Sequence, residues 1–393
     1  MFKHILVRYD EIALKKRNRG WFEDLLLNNI RSSIGELGSA GKFRGRMFVE
    51  LKSEENLEEV VSRLLFIPGI SSFSPSIKLP LDAPFEEIVE NSLILAKKGL
   101  DEGKKVLKVI CTRSNKKYPG TSIEIQQKLA KEVLSKTGGN FSVSMKNFSL
   151  GLEVEIDSDG IYIFSERISG VKGLPSGSAG KFLSLLSGGI DSPVASYMTM
   201  KRGGRIHYIG FYSPPHTGEE SMKKLVDLAR ELKKYQGVST KLFIAPFIDI
   251  QLLIKVRCFE GYRTILFRRM MFKIAERIAL KNKFDALITG EALSQVSSQT
   301  IENLTCINEA VKTMPVIRPL ITFEKSDTVA VAQKIGTFPI STRNAPDSCT
   351  AFLPKNPIIR GKIENVLEQE RRLEPEIFEL IEESIKNIKV IDV

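Results

Sequence analysis

Six consecutive residues, Ser187-Gly188-Gly189-Ile190-Asp191-Ser192, combine backbone freedom, hydroxyl donors and one carboxylate. The apolar run Phe182-Leu183-Ser184-Leu185-Leu186 precedes them, and Pro193-Val194-Ala195-Ser196-Tyr197-Met198 follows with helical character. Glycine lets the chain turn sharply and come close to an anion. A helix start adds unpaired N–H donors and a partial positive charge. Serine hydroxyls add further donors, and proline suits a first helical turn. Strand, loop and helix together make a phosphate cradle. Asp191 sits badly beside phosphate unless a cation lies between them, which points to a bridging Mg²⁺. Aspartate also caps helix N-termini well, and the two roles are compatible.

The loop lacks the lysine of GxxxxGK[ST], and it is not GxGxxG. The nearby Gly180-Lys181 does not complete the first motif, because Pro175 stands where its leading glycine belongs.

From residue 181 onward, apolar strands (182–186, 206–211, 242–245, 286–289) alternate with long helical segments. This predicts a doubly wound parallel α/β sheet. The tail beyond Gly361 reads as charged and helical, with Leu367, Ile377, Leu380 and Ile381 facing inward. Residues 169–180 are rich in glycine, serine and proline, and are taken as a linker. The region before it is α+β. A strand at 4–9 leads into a very basic loop. A helix follows, carrying Phe22, Leu25, Leu26, Ile30, Ile34 and Leu37, and Gly38 and Gly41 stop it before a strand at 44–51. Helical patterns recur at 57–65, around Phe85, Ile88, Val89 and Leu93, and at Ile125, Leu129 and Val133. Extended segments lie at 70–79 and 105–111, and a hairpin turns at Asp157-Ser158-Asp159-Gly160.

The chain has 393 residues, 42% hydrophobic and 27% charged, which fits two or three globular domains rather than disorder. Its formal net charge of +11 favours a polyanionic partner, most simply nucleic acid. The four cysteines (Cys111, Cys258, Cys306 and Cys349) form no CxxC pair, and three histidines are too few for a multi-histidine metal site. Sparse cysteines suggest a reducing compartment. The start MFKHILVRYDE has no signal-peptide core, and no stretch has the apolar length of a membrane span. A cytoplasmic protein without a membrane partner is expected.

SGGxDS after a strand resembles the pyrophosphate-loop signature of the adenine-nucleotide α-hydrolase superfamily. Its members generally cleave ATP to AMP and pyrophosphate and activate an oxygen by adenylation. Further segments are similar to the tRNA 4-thiouridine synthetase family, also called the thiamine-biosynthesis sulfurtransferase. They are Arg8-Tyr9-Asp10-Glu11-Ile12-Ala13-Leu14-Lys15, the loop with Leu185 and Leu186, and Thr289-Gly290-Glu291-Ala292-Leu293-Ser294-Gln295-Val296-Ser297-Ser298-Gln299-Thr300. Arg318-Pro319-Leu320-Ile321 with Lys325 is another. The resemblance covers essentially the whole chain. It implies a ferredoxin-like domain (1–56), a THUMP RNA-binding domain (57–168), the linker (169–180) and a pyrophosphate-loop catalytic domain (181–393).

The resemblance also implies an activity. A uridine O4 in tRNA, at position 8, is adenylated and replaced by persulfide-derived sulfur, with AMP and pyrophosphate released. A role in making the thiamine thiazole is associated with the same family. An AMP ester turns a poor carbonyl leaving group into a good one, and a persulfide is a strong nucleophile. ATP and Mg²⁺ are the implied cofactors. Implied partners are the acceptor end of tRNA, a cysteine desulfurase as persulfide donor and a small sulfur-carrier protein. A homodimer suits an acceptor-end binder whose catalytic domain must reach elsewhere on the same RNA.

Carried onto this chain, the nucleotide positions are Leu185, Leu186, Ser187, Gly188, Gly189, Asp191, Ser192, Gly210, Phe211, Arg268, Gly290 and Gln299. Lys325 would stabilise charge on departing pyrophosphate. Cys349 matches the family's sulfur-handling cysteine, and the other three read as small core residues. Some family members carry a rhodanese-like domain that receives the persulfide, and the tail here is too short for one. Three sulfur routes stay open: Cys349 directly, Cys349 with another cysteine, or delivery by a separate protein. Lys15, Lys16, Arg17, Arg19, Lys42, Arg44, Arg46, Lys104, Lys105, Lys116 and Lys117 are candidate phosphate contacts to RNA, recognised mainly by shape. Two other readings are a pyrophosphate-loop synthetase acting on a small molecule, and a non-catalytic tRNA-binding protein.

Overall fold

Strand β1 (His4–Arg8) buries Ile5, Leu6 and Val7 together, because both of its faces are covered. The computed structural model describes residues 2–43, 46–345 and 352–393. They form two units, Met1–Pro175 and Ser176–Val393.

In the first unit, helix α1 (Arg19–Ile34) buries Phe22, Leu26, Ile30 and Ile34 at intervals of four, against Ile5 and Val7. Strands β2 (Gly38–Phe43) and β3 (Arg46–Leu51) follow, then helix α2 (Leu57–Leu64) and strand β4 (Ser72–Leu79). Both β3 and β4 pair antiparallel with β1. Helix α3 (Phe85–Asp101), β5 (Val106–Arg113), α4 (Ser122–Lys136), β6 (Ser142–Val143), β7 (Leu150–Asp157), β8 (Gly160–Phe164) and β9 (Ile168–Ser169) complete it. The sheet runs β2-β3-β1-β4-β8-β7-β5-β6, with β9 also on β4. Thr121 and Glu124 form a reciprocal capping box that starts α4. The β7–β8 hairpin turns with Asp157 opposite Gly160.

Two local expectations change here. Residues 38–43 form a strand rather than a helix stop. A Cβ on Gly38 would lie 2.4 Å from the Glu50 carbonyl oxygen, and one on Gly41 would lie 2.5 Å from the Phe48 ring. The glycines thus let two strands and a ring pack closely. The basic stretch is no open loop either. Glu11–Asn18 winds as 3-10 turns anchored by buried Ile12, with a break at Lys16, whose φ is +43°.

The second unit starts with β10 (Gly180–Leu185), α5 (Asp191–Lys201), β11 (Gly204–Tyr212), α6 (Glu219–Lys233), β12 (Lys241–Pro246) and α7 (Ile248–Arg257). Helix α8 (Arg263–Lys281) then crosses to β13 (Ala286–Ile288), followed by α9 (Ile301–Asn308), β14 (Val316–Ile317), α10 (Lys325–Lys334) and α11 (Phe338–Ser341). The tail adds α12 (Ile363–Arg371), α13 (Glu376–Lys386) and strand β15 (Lys389–Asp392). The sheet order is β14-β13-β10-β11-β12-β15. All neighbours are parallel except β15, which pairs antiparallel with β12. The tail's buried apolar residues are Val366, Leu373, Ile377, Ile381 and Val393, while Leu367 and Leu380 are only partly covered.

From β10 the chain winds outward through β11 and β12, then returns to the other side of β10 at β13. That reversal opens a crevice beyond the carboxyl ends of β10 and β13, the usual ligand position in an open α/β sheet. Among the described residues, no helix is long and apolar enough to cross a membrane.

Candidate active site

The serine-glycine loop fills the turn from β10 to α5 and is closed by Ser192. The Ser192 hydroxyl accepts from the Ser187 N–H (2.9 Å) and donates to the Ser187 carbonyl (3.3 Å). Ser196 donates back to the Ser192 carbonyl at 2.8 Å and pairs with Ser184 under the loop. Ser341 of α11 donates to the Gly189 carbonyl at 3.2 Å, bracing the outer turn. Gly290, just past β13, packs directly on the start of α5. A Cβ there would stand 2.6 Å from the Ser192 nitrogen.

Asp191 is the first residue of α5, not its cap. The N-cap is Ile190, with no side-chain capping bond. The carboxylate points elsewhere. Its Oδ1 accepts from Lys325 Nζ at 2.5 Å and its Oδ2 from Gln295 Nε2 at 3.0 Å. Lys325 opens α10, so two helix N-termini converge beside the loop.

A cavity of roughly 250 Å³ lies over this loop. Of the expected nucleotide positions, Leu185, Leu186, Ser187, Gly188, Asp191, Ser192, Phe211, Arg268, Gly290 and Gln299 line it, and Gly189 and Gly210 do not. Gly210 acts through a neighbour: a Cβ there would lie 2.7 Å from Leu225, which does line the cavity. The side-chain oxygen of Gln299 is buried and has no hydrogen-bond partner among the described residues, so it is available to a bound molecule.

The sequence reading missed Ser221, Leu225, Met271, Phe272, Thr289 and Glu291 in the wall. Met271 and Phe272 follow Arg268 at helical spacing and were findable on that ground. Ser221 and Leu225 carry no signal of their own. Glu291 is almost fully enclosed. Its carboxylate accepts from Arg268 Nη1 (2.7 Å), Arg318 Nε (2.7 Å) and Thr289 Oγ1 (2.9 Å).

Cys349 lies outside the described residues, as does Arg44. Cys111, Cys258 and Cys306 are buried. Burial pushes the Cys111 and Cys258 thiols up to about 11 and raises that of Cys306 as well. Thiols so protonated are poor nucleophiles.

The basic residues of the first unit divide into two sets. Arg19 binds Glu23 and the Tyr9 hydroxyl, Lys42 binds Asp24, Lys104 binds Glu102, and Arg46 binds Glu155 and Asp157. Those charges are largely committed within the chain. Lys16, Arg17, Lys105, Lys116 and Lys117 are exposed, and Lys15 lies over the Phe22 ring at 4.8 Å.

A doubly wound sheet with a serine-glycine phosphate loop at its reversal point, joined to a two-part α+β unit, defines a class of nucleotide-using enzyme with an appended binding unit. The family model described as thiamine biosynthesis protein (ThiI) matches residues 177–374. The ThiI ferredoxin-like domain matches 4–74 and the THUMP domain 82–166. The chain belongs to the ThiI family. A relative from Halothermothrix orenii named "Probable tRNA sulfurtransferase" is 39% identical across 100% of this chain and 99% of its own. One of the same name from Moorella thermoacetica is 41% identical, covering 100% and 98%. A solved 4-thiouridine synthetase, in complex with RNA and bound ATP, superposes with a TM-score of 0.91 at 37% identity over 100% of both chains. A Pyrococcus horikoshii structure shares the fold, with a TM-score of 0.63 at 24% identity over 85% of this chain and 99% of that one.

Proposed function

We propose that this chain is an ATP-dependent tRNA sulfurtransferase that converts a uridine, at position 8, to 4-thiouridine. The observation that carries this reading is the cavity at the sheet reversal, walled by the serine-glycine loop, Arg268 and Gln299. The full-length likeness to a 4-thiouridine synthetase solved with RNA and ATP supports it.

In this reading the adenine lies against Leu185, Leu186 and Phe211, and Gln299 offers its unpartnered oxygen to the base. Donors of the loop, with Ser187 and Ser192, hold the phosphates, and Arg268 adds its guanidinium. Among the described residues no cluster of three or more acidic, histidine or cysteine side chains exists to hold a metal. A single carboxylate, Asp191, fits a Mg²⁺ that arrives on the phosphates, since that ion binds through one or two carboxylates plus phosphate oxygens. Bound there, Mg²⁺ would neutralise phosphate charge. Lys325, beside Asp191, is placed to meet the negative charge of leaving pyrophosphate.

The uridine O4 attacks the α-phosphate and pyrophosphate leaves. The outer sulfur of a persulfide handled by Cys349 then attacks C4, and AMP departs. A second thiol attacks the inner sulfur, breaks the S–S bond to free 4-thiouridine, and leaves a disulfide that an external thiol reduces. A cysteine desulfurase, directly or through a small carrier protein, supplies the sulfur in the cytoplasm, and the enzyme acts as a homodimer. Lys15, Lys16, Arg17, Lys105, Lys116 and Lys117 contact the RNA backbone near the acceptor end. The family description favours a second use of the same sulfur chemistry, supply to a thiazole precursor.

Nucleoside mass spectrometry tests the reading. Unmodified tRNA is incubated with the protein, Mg-ATP, cysteine and an active desulfurase. The expected outcome is 4-thiouridine that disappears with Asp191→Ala and Cys349→Ser. Product surviving Cys349→Ser moves sulfur handling elsewhere. Absence of any thionucleoside defeats the proposal and favours a small-molecule substrate.

A further inference from the structure

Arg268 and Arg269 are consecutive on α8 but serve opposite sides. Arg269 is buried and bound to Glu370, Glu309 and the Cys306 carbonyl. Arg268 lines the cavity and makes one hydrogen bond among the described residues, to Glu291 Oε1. Its remaining donors carry no other bond there. A long arginine side chain on a helix face samples many rotamers, and pinning one nitrogen fixes the plane and direction of the rest.

Glu291 is well suited to be that pin. Its side chain is 2% exposed, and its second oxygen is held by Arg318 and Thr289. Arg318 is itself tied to Asn308 Oδ1 at 3.1 Å. A carboxylate enclosed between two guanidiniums cannot swing away without leaving a buried charge unpaired. Two arginines sharing one carboxylate also leave one net positive charge at this wall, complementary to phosphate.

We propose that Glu291 is a positioning residue: it aims Arg268 at the phosphates of bound ATP and takes no part in the chemistry. The proposal rests on reading the cavity as the ATP site. A double-mutant cycle on ATP affinity, measured by titration calorimetry on the full chain, tests it. Glu291→Gln and Arg268→Met are each expected to weaken ATP binding by about ten- to a hundredfold, as loss of a buried charged partner does. The double variant is expected to be no weaker than the worse single one, because Glu291 acts only through Arg268. Additive losses would overturn the proposal and assign Glu291 to general loop integrity. Unchanged ATP binding in Arg268→Met would overturn it too, and would separately remove Arg268 from the nucleotide site. If circular dichroism shows the Gln variant unfolded, Glu291→Asp, which keeps the charge but shortens the reach, takes its place in the same cycle.

Discussion

Asp191 shows how a side chain's structural role can depart from the one that its sequence position suggests. Its place in SGGIDS marked it at once, yet the capping role natural to aspartate is not the one it fills. Lys325 and Gln295, each more than a hundred positions away, take the carboxylate instead. Removing either charge should act on the chemical step. Asp191→Ala and Lys325→Met are each expected to slow RNA-dependent AMP formation by about 10²–10³-fold, the usual effect of deleting a group that stabilises developing charge. Unfolding temperatures should shift little, because both groups are partly exposed. Gly290→Ala tests sterics at the same place. Its Cβ would meet backbone, not a flexible side chain, so the loop must move off α5 and ATP affinity should fall. Unaltered affinity in a folded Gly290→Ala protein would show that this close approach is dispensable.

The legible elements were those whose signal is local. Four apolar residues at intervals of four announced α1, and an apolar strand running into glycines announced the phosphate turn. Strand β2 was illegible because its glycines make room for neighbours, the Glu50 backbone at Gly38 and the Phe48 ring at Gly41, rather than for a turn of their own. The 3-10 turns at 11–18 were illegible because only Ile12 is buried. In the site, the loop could be read directly, while Glu291, Ser341 and Gln295 gain meaning only through partners that folding supplies. Helix α8 makes the same point within a single turn, where Arg268 lines the cavity and Arg269 is buried in the core. Arg269→Met should cost the catalytic unit about 3–5 kcal/mol, because two carboxylates lose their buried partner. Arg268→Met should cost much less stability and far more ATP affinity. Equilibrium denaturation of the two variants side by side checks the contrast.

Over the molecule as a whole, the buried titratable groups set how stability follows pH. His207 stacks on Phe284, and its Nδ1 accepts from the Lys241 N–H. Burial first, then Lys181, Lys241 and Arg205, lower its pKa to about 4 from 6.5. Between those values the unfolded chain holds the extra proton, so stability rises with pH and is lost as pH falls from 6.5 towards 4. Glu370 adds to the acid side. Burial pushes its carboxyl up, but hydrogen bonds and charge from Arg269, then Lys273, outweigh burial and leave it below 4.5. Its contribution is present above that value and disappears as pH drops through the folded pKa. Denaturation midpoints followed from pH 7 to 4 should therefore decline, and His207→Phe should flatten the slope above pH 4.5. An unchanged slope in that variant would mean that His207 titrates normally in the folded protein.

The outermost strand of the second unit has a consequence for solubility. Every open sheet ends in rows of unsatisfied backbone donors and acceptors, ready templates for another chain. On the β14 side the row is only two residues long. On the other side, β12 would present six residues to solvent but for the cover of β15, whose ends carry Lys389 and Asp392. A protein lacking residues 388–393 should keep its core and its nucleotide cavity. It should nonetheless self-associate through the bared edge, growing in light scattering with concentration before any loss of helix signal.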